Sequence, residues 1–244
     1  MNTGPDPIPL PVPHRVTWGL GDFFWIYVAG LAGGIVLGSI GVAIANDKPG
    51  ETSALTFALS ALGLYAAWFA GLIYVSRRKG RGSLYEDFGL TARASMAWGL
   101  IVGVLLQFLL SALVLPLVNL ANNESQEVVN DLKNASGAKL IVILVVAGLL
   151  APVAEETLFR GLLLRSLRRR FSVEVAIVIS ALVFAAAHLL GDASLGVVAI
   201  FPALAVLGVV NGIAAVWTGD LSLSIPIHMG FNLVTLALNA SLHH

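Results

Sequence analysis

Five polar residues fall in stretches whose composition belongs inside lipid: Glu155, Glu156, His188, His228 and Asn232. A charged group within a membrane helix costs at least about 2.5 to 3.5 kcal/mol, so an ionisable residue there is a functional hypothesis by default. Carboxylates and imidazoles together suggest proton handling, and in particular the activation of water by a general base. In the run Ala-Pro-Val-Ala-Glu-Glu-Thr-Leu-Phe-Arg-Gly, which ends at Gly161, Glu156 and Arg160 stand four residues apart in the order that favours a helical ion pair. Glu155 is rotated by about 100° from Glu156 and faces elsewhere, which leaves it as the available carboxylate. His228 and Asn232 have the same four-residue spacing and share one helix face.

Each signal has a plainer explanation when taken alone. The run from Glu155 to Arg160 could be a helix end in the headgroup region, beside Arg165, Arg168, Arg169 and Arg170. A lone histidine near the end of an apolar helix, such as His188, is more often a packed or interfacial residue. The plainer explanation has to account for three separate helices at once, each carrying hydrogen-bonding or proton-handling groups that lipid would exclude.

The elements that must position these residues are membrane helices. Of the 244 residues only 11% are charged and 57% are apolar, which is not the composition of a soluble core. The formal net charge of zero gives no support to a nucleic-acid partner. The absence of cysteine excludes disulfides, thiolate metal sites and a cysteine nucleophile. A span needs roughly 20 apolar residues, and the runs 23–45, 54–76 and 96–118 contain no charge at all. Further runs follow at 140–154, 175–190, 195–217 and 223–242. The expectation is an all-α polytopic bundle of seven spans, or eight if Pro202 splits one.

Basic residues cluster at Arg77, Arg78, Lys79, Arg81 and Arg93, and again at Arg165, Arg168, Arg169 and Arg170. Both loops are expected to be cytoplasmic, with the N-terminus and its Arg15 on the same side. The loop 121–138 carries Glu124, Glu127 and Asp131 against Lys133, which fits the opposite face. Residues 1–22 read as a Pro-rich tail and not a signal peptide, because they have no basic n-region and no small-residue cleavage pattern follows the first apolar run. Residues 23–244 read as a single membrane domain. Gly30, Gly34 and Gly38, and later Gly208 and Gly212, recur every fourth residue, a spacing that lets helices approach closely within one chain.

The motif residues resemble those of the CAAX prenyl protease and bacteriocin-processing (CPBP, or Abi) family of intramembrane peptidases. Its Glu-Glu-x-x-x-Arg motif is similar to Glu155, Glu156 and Arg160, its Phe-x-x-x-His motif to Phe184 and His188, and its His-x-x-x-Asn motif to His228 and Asn232. The order is the family's, and the resemblance covers about 139–239. It implies an endopeptidase that hydrolyses a peptide bond of a membrane-associated or prenylated substrate, within or beside the bilayer of the cell (plasma) membrane. Glu155 would then be the general base and His188 its partner in holding water. His228 and Asn232 would donate hydrogen bonds to the oxyanion, with Glu156, Arg160 and Phe184 in support. The resemblance favours a mechanism without a metal cofactor, while two histidines with glutamates leave zinc open as an alternative.

One difficulty remains at this level. Counted at 1.5 Å per residue from the cytoplasmic ends, His228 lies about 8 Å deep, Glu155 about 14 Å and His188 about 20 Å. Straight upright helices would not bring them together, so tilt, a break near Pro152 or Pro226, or different helix boundaries are needed. Two rivals from other classes are a proton-coupled transporter and a catalytically inactive scaffold. Transporters commonly show repeated halves, whereas the polar groups here lie only in the second half. A scaffold would be expected to have lost at least one motif residue.

Overall fold

The computed structural model describes residues 16–49, 51–120, 135, 137–190 and 195–241. Tail residues 1–15 and the acidic-loop residues Glu124, Glu127, Asp131 and Lys133 lie outside the described residues. Among the described residues the chain forms α1 (Leu20–Ala45), α2 (Ala54–Lys79), a short α3 (Leu84–Phe88) and α4 (Gly99–Leu120). They are followed by a composite α5 (Ala138–Leu167), then α6 (Val173–Leu189), α7 (Leu195–Thr218) and α8 (Ser224–Ser241). The protein is a polytopic helical membrane bundle. Four helices are long and apolar enough to span a membrane by length and composition, and α4, α6 and α8 each contain a shorter apolar stretch. α7 runs through Pro202 as one helix, so the splitting that would make an eighth span does not occur. Membrane helices tolerate such a proline because neighbouring groups can satisfy the freed carbonyl.

Local chemistry starts and stops these helices. Asp22 reaches back to accept from the Gly19 N–H at 2.9 Å at the head of α1. Ser53 accepts from the Thr56 N–H at 3.2 Å at the head of α2. α2 ends on Arg77, Arg78 and Lys79, where cations suit the negative end of the helix dipole.

Small residues set the packing. α1 and α2 approach so closely that a Cβ added at Gly33 would lie 2.5 Å from the Gly63 carbonyl oxygen, while the indole of Trp68 occupies the space over Gly30. The α1 glycine stripe therefore packs within the chain. α4 and α8 cross as tightly: a Cβ at Gly103 would stand 2.0 Å from the Ile227 oxygen, and one at Gly230 would stand 2.2 Å from the Leu100 oxygen. α6 and α7 meet where Gly208 faces Ala181 and Gly212 faces Ile177.

The two basic loops come together at one end of the bundle. Asp87 is buried there and accepts from Trp18 Nε1 at 3.3 Å, from Ser76 Oγ at 2.6 Å and from the Arg81 N–H. Arg165 donates to the Asp87 and Gly219 carbonyls at 3.2 and 2.8 Å, and Arg169 lies over the Trp18 ring and donates to the Trp18 carbonyl. This cap also covers the turn between α7 and α8. The Leu221 N–H donates to the Gly89 oxygen at 2.9 Å, Asp220 pairs with Arg93 at 3.0 Å, and residues 220–224 are all buried.

Candidate active site

α5 is continuous from Ala138 to Leu167 but not uniform. Two π-helical stretches, Val146–Leu150 and Thr157–Leu164, flank the α-helical segment Ala151–Glu156 that carries both glutamates. The first widened stretch ends beside Pro152, which has no N–H to continue the α ladder. In the second, Thr157 Oγ1 donates back to the Val153 carbonyl at 2.7 Å. Widened turns of this kind are frequent at functional sites. The break anticipated near Pro152 is thus a change of winding within an unbroken helix.

The two adjacent carboxylates have opposite environments. Glu156 has no exposed side-chain surface, and its Oε1 gathers three partners. Arg160 Nη1 is 3.3 Å away, Asn211 Nδ2 donates at 3.0 Å, and His228 Nδ1 lies at 3.0 Å. Glu155 is 16% exposed, and its Oε2 stands 3.7 Å from His228 Nε2. The rotation between neighbouring helix positions thereby aims one carboxylate into the protein and leaves the other reachable.

An ionised carboxylate can only accept a hydrogen bond, so His228 carries its proton on Nδ1 when it donates to Glu156. In the neutral ring Nε2 is then the lone-pair nitrogen, turned toward Glu155. His188 has the same polarity by a different route. Its Nδ1 is 2.9 Å from the Phe184 carbonyl, also an acceptor only, and its Nε2 is left for other work.

Phe184 joins these groups from α6. Its buried ring makes edge contacts with His188 and His228 at centroid separations of 4.9 and 5.6 Å, and the Arg160 guanidinium lies over it at 4.4 Å. Arg160 also donates through Nη2 to the Gly208 carbonyl at 3.1 Å. Asn232 Nδ2 donates to the Ala147 carbonyl in the first widened stretch at 2.8 Å. The structure therefore brings Glu155, Glu156, Arg160, Phe184 and His228 into one cluster. His188 joins it through the Phe184 ring and has no direct bond to Glu155, and Asn232 is tied to the backbone of α5.

The buried residues 220–224 start α8 inside the protein, beneath the cap, and this brings His228 level with Glu155 and Glu156. Asn211 was missed by sequence reasoning. The 195–217 run registers as uncharged, and the one signal available was an amide between Gly208 and Gly212 in an otherwise apolar helix.

A zinc site would need at least three ligands converging on one point. Among the described residues no three His, Asp or Glu side chains do so.

The fold and the cluster define an integral membrane protein with an ionisable centre assembled from α5, α6, α7 and α8. Residues 137–234 match the model of a protease family, described as type II CAAX prenyl endopeptidase Rce1-like, which is the family that the three motifs resemble. All seven motif residues lie within the matched stretch. Comparison with curated proteins and with solved structures gave no significant match.

Proposed function

We propose that the protein is an intramembrane endopeptidase that cleaves a membrane-associated or prenylated protein substrate. The observation that carries this reading is the pair of adjacent glutamates in opposite states, Glu156 buried and bonded and Glu155 reachable beside His228 Nε2. Glu155 takes a proton from water as the water oxygen bonds to the scissile carbonyl carbon. It then returns that proton to the leaving amine as the C–N bond breaks. His188, with Nε2 free, accepts a hydrogen bond from the same water and orients it. His228 and Asn232 face the oxyanion. Asn232 has a second amide N–H beyond the one given to Ala147, and His228 donates from Nε2 only when its ring is doubly protonated. Loss of one such donor typically costs about 2.7 to 4 kcal/mol of transition-state stabilisation. Phe184 and Arg160 hold the two histidines and Glu156 in place.

The basic end of the bundle is assigned to the cytoplasm and the bilayer to the plasma membrane, with the site opening toward the basic end. The test is cleavage of a panel of prenylated and transmembrane peptides by purified protein, comparing wild type with Glu155→Ala in the presence and absence of chelator. The expected result is cleavage that falls by about a hundredfold or more in Glu155→Ala and is indifferent to chelator. Loss of activity with chelator, restored by zinc, would overturn the metal-independent mechanism. Equal behaviour of wild type and Glu155→Ala toward a substrate that is cleaved would remove the glutamate from the chemistry, and no cleavage of any peptide would favour a scaffold.

A further inference from the structure

Between the end of α5 and the end of α7 lies a cavity of about 190 Å³, separate from the Glu155 face of the site. Arg160, Arg165 and Arg168 line it on one side, and Leu164, Val216 and Leu221 form apolar wall. Arg160 is paired with Glu156, Arg165 donates to the Asp87 and Gly219 carbonyls and lies in the field of Asp220 and Asp87, and Arg168 has no carboxylate at ion-pair distance among the described residues. Arg160 is 1% exposed, and its Nε has no hydrogen-bond partner among the described residues. A buried N–H without a partner is uncommon and leaves Arg160 with unused donor capacity.

The setting indicates what acceptor would suit it. Trp217, next to Val216 in the last turn of α7, is 72% exposed, and Phe171 projects from the loop that follows α5. Exposed aromatic rings at helix ends sit at headgroup depth, where a tryptophan meets apolar chains on one side and water on the other. Guanidinium groups recognise phosphate oxygens with paired N–H donors. Basic cavities between membrane helices at this depth suit anionic headgroups. Leu164, Val216 and Leu221 line the cavity beside the arginines, so an occupant meets apolar as well as cationic groups there, as a lipid headgroup with its glycerol would.

We propose that this cavity binds the phosphate of an anionic phospholipid, with Arg168 and Arg165 as the principal contacts and Arg160 at its floor. Phosphate is the shared chemistry, and the lipid is its source. The assignment does not depend on the peptidase reading, although Arg160 is common to both places.

The experiment is thermal unfolding of the detergent-purified protein titrated with short-chain phosphatidylglycerol, short-chain phosphatidylcholine or inorganic phosphate, in wild type, Arg168→Gln and Arg168→Lys. A bound ligand stabilises in proportion to its occupancy of the folded state. The expected result is a saturable rise in melting temperature with phosphatidylglycerol. Half-saturation should move to about tenfold higher concentration in Arg168→Gln and much less in Arg168→Lys. Equal rises with phosphatidylglycerol and phosphatidylcholine, or an unchanged titration in Arg168→Gln, would overturn the site. An Arg168-dependent rise produced equally by inorganic phosphate would overturn the lipid as its source. Arg168 is exposed and its side chain has no hydrogen bond or ion pair among the described residues, so its variants test the cavity and not the fold.

Discussion

A carboxylate that merely closed an ion pair would need one cation, but Glu156 has partners on α5, α7 and α8. Its hydrogen bond to His228 Nδ1 fixes which nitrogen of that ring faces Glu155, so it acts on the chemistry by orienting another group. Two consequences can be measured by unfolding in detergent. Arg160→Met strands a buried charge and is expected to cost about 3 to 5 kcal/mol, much of which returns when Glu156→Gln is added. If the double variant were no more stable than the single, the two residues would not be coupled. Asn211→Leu removes a hydrogen bond to a charged group and should cost about 1.5 to 3 kcal/mol. Asn211→Asp should be worse, because it sets a second carboxylate 3.0 Å from Glu156. Six of the seven motif residues stood out because ionisable and amide groups contrast with their surroundings, whereas Phe184 came only from the motif resemblance. Asn211 did not stand out, since a single uncharged amide disappears in a helix of apolar residues, and no spacing rule reveals which carboxylate it will meet.

Among the elements, the close crossing of α4 with α8 bears most directly on the site. The backbone atoms that would meet an added methyl at Gly103 or Gly230 cannot turn aside as a side chain would. Gly103→Ala and Gly230→Ala are each expected to cost about 1 to 3 kcal/mol and to lower peptidase turnover, because α8 carries His228 and Asn232 and must move to make room. Gly21→Ala in α1, with nothing within 4 Å of its added Cβ, serves as the neutral comparison. Losses of equal size in all three variants would point to intrinsic helix effects and not to the crossing. Because it measures composition over a window as long as a span, hydropathy located the apolar helices to within a few residues, except that the run 140–154 stops well short of the end of α5 at Leu167. It was blind to the widened turns around Ala151–Glu156 and to the buried start of α8. Both are set by how backbone groups find partners in three dimensions.

For the molecule as a whole, the asymmetry of charge is the organising fact. The arginines that follow α2 and those that follow α5 are far apart in sequence, yet Arg165 reaches the Asp87 carbonyl and Arg93 reaches Asp220 at the same end of the bundle. The absence of cysteine makes the topology directly testable. In sealed membrane vesicles of known polarity, an impermeant thiol reagent is expected to label Arg170→Cys from the cytoplasmic face and Ser125→Cys from the opposite face. Labelling of both from one side would overturn the alternation of spans. Charge alone gives the expectation for the side on which the basic end lies, because the positive-inside bias acts on short loops irrespective of how the helices pack.

The covered turn between α7 and α8 also bears on how the protein is made. Its anchors at Gly89 and Arg93 precede it in the chain by well over a hundred residues, and synthesis delivers the N-terminal elements first. The cap can therefore be in place before the hairpin that slides beneath it, and α8 is the helix that brings His228 to Glu155 and Glu156. A chain still emerging into the bilayer has its glutamates but not yet His228, and it acquires a complete centre only when assembly ends.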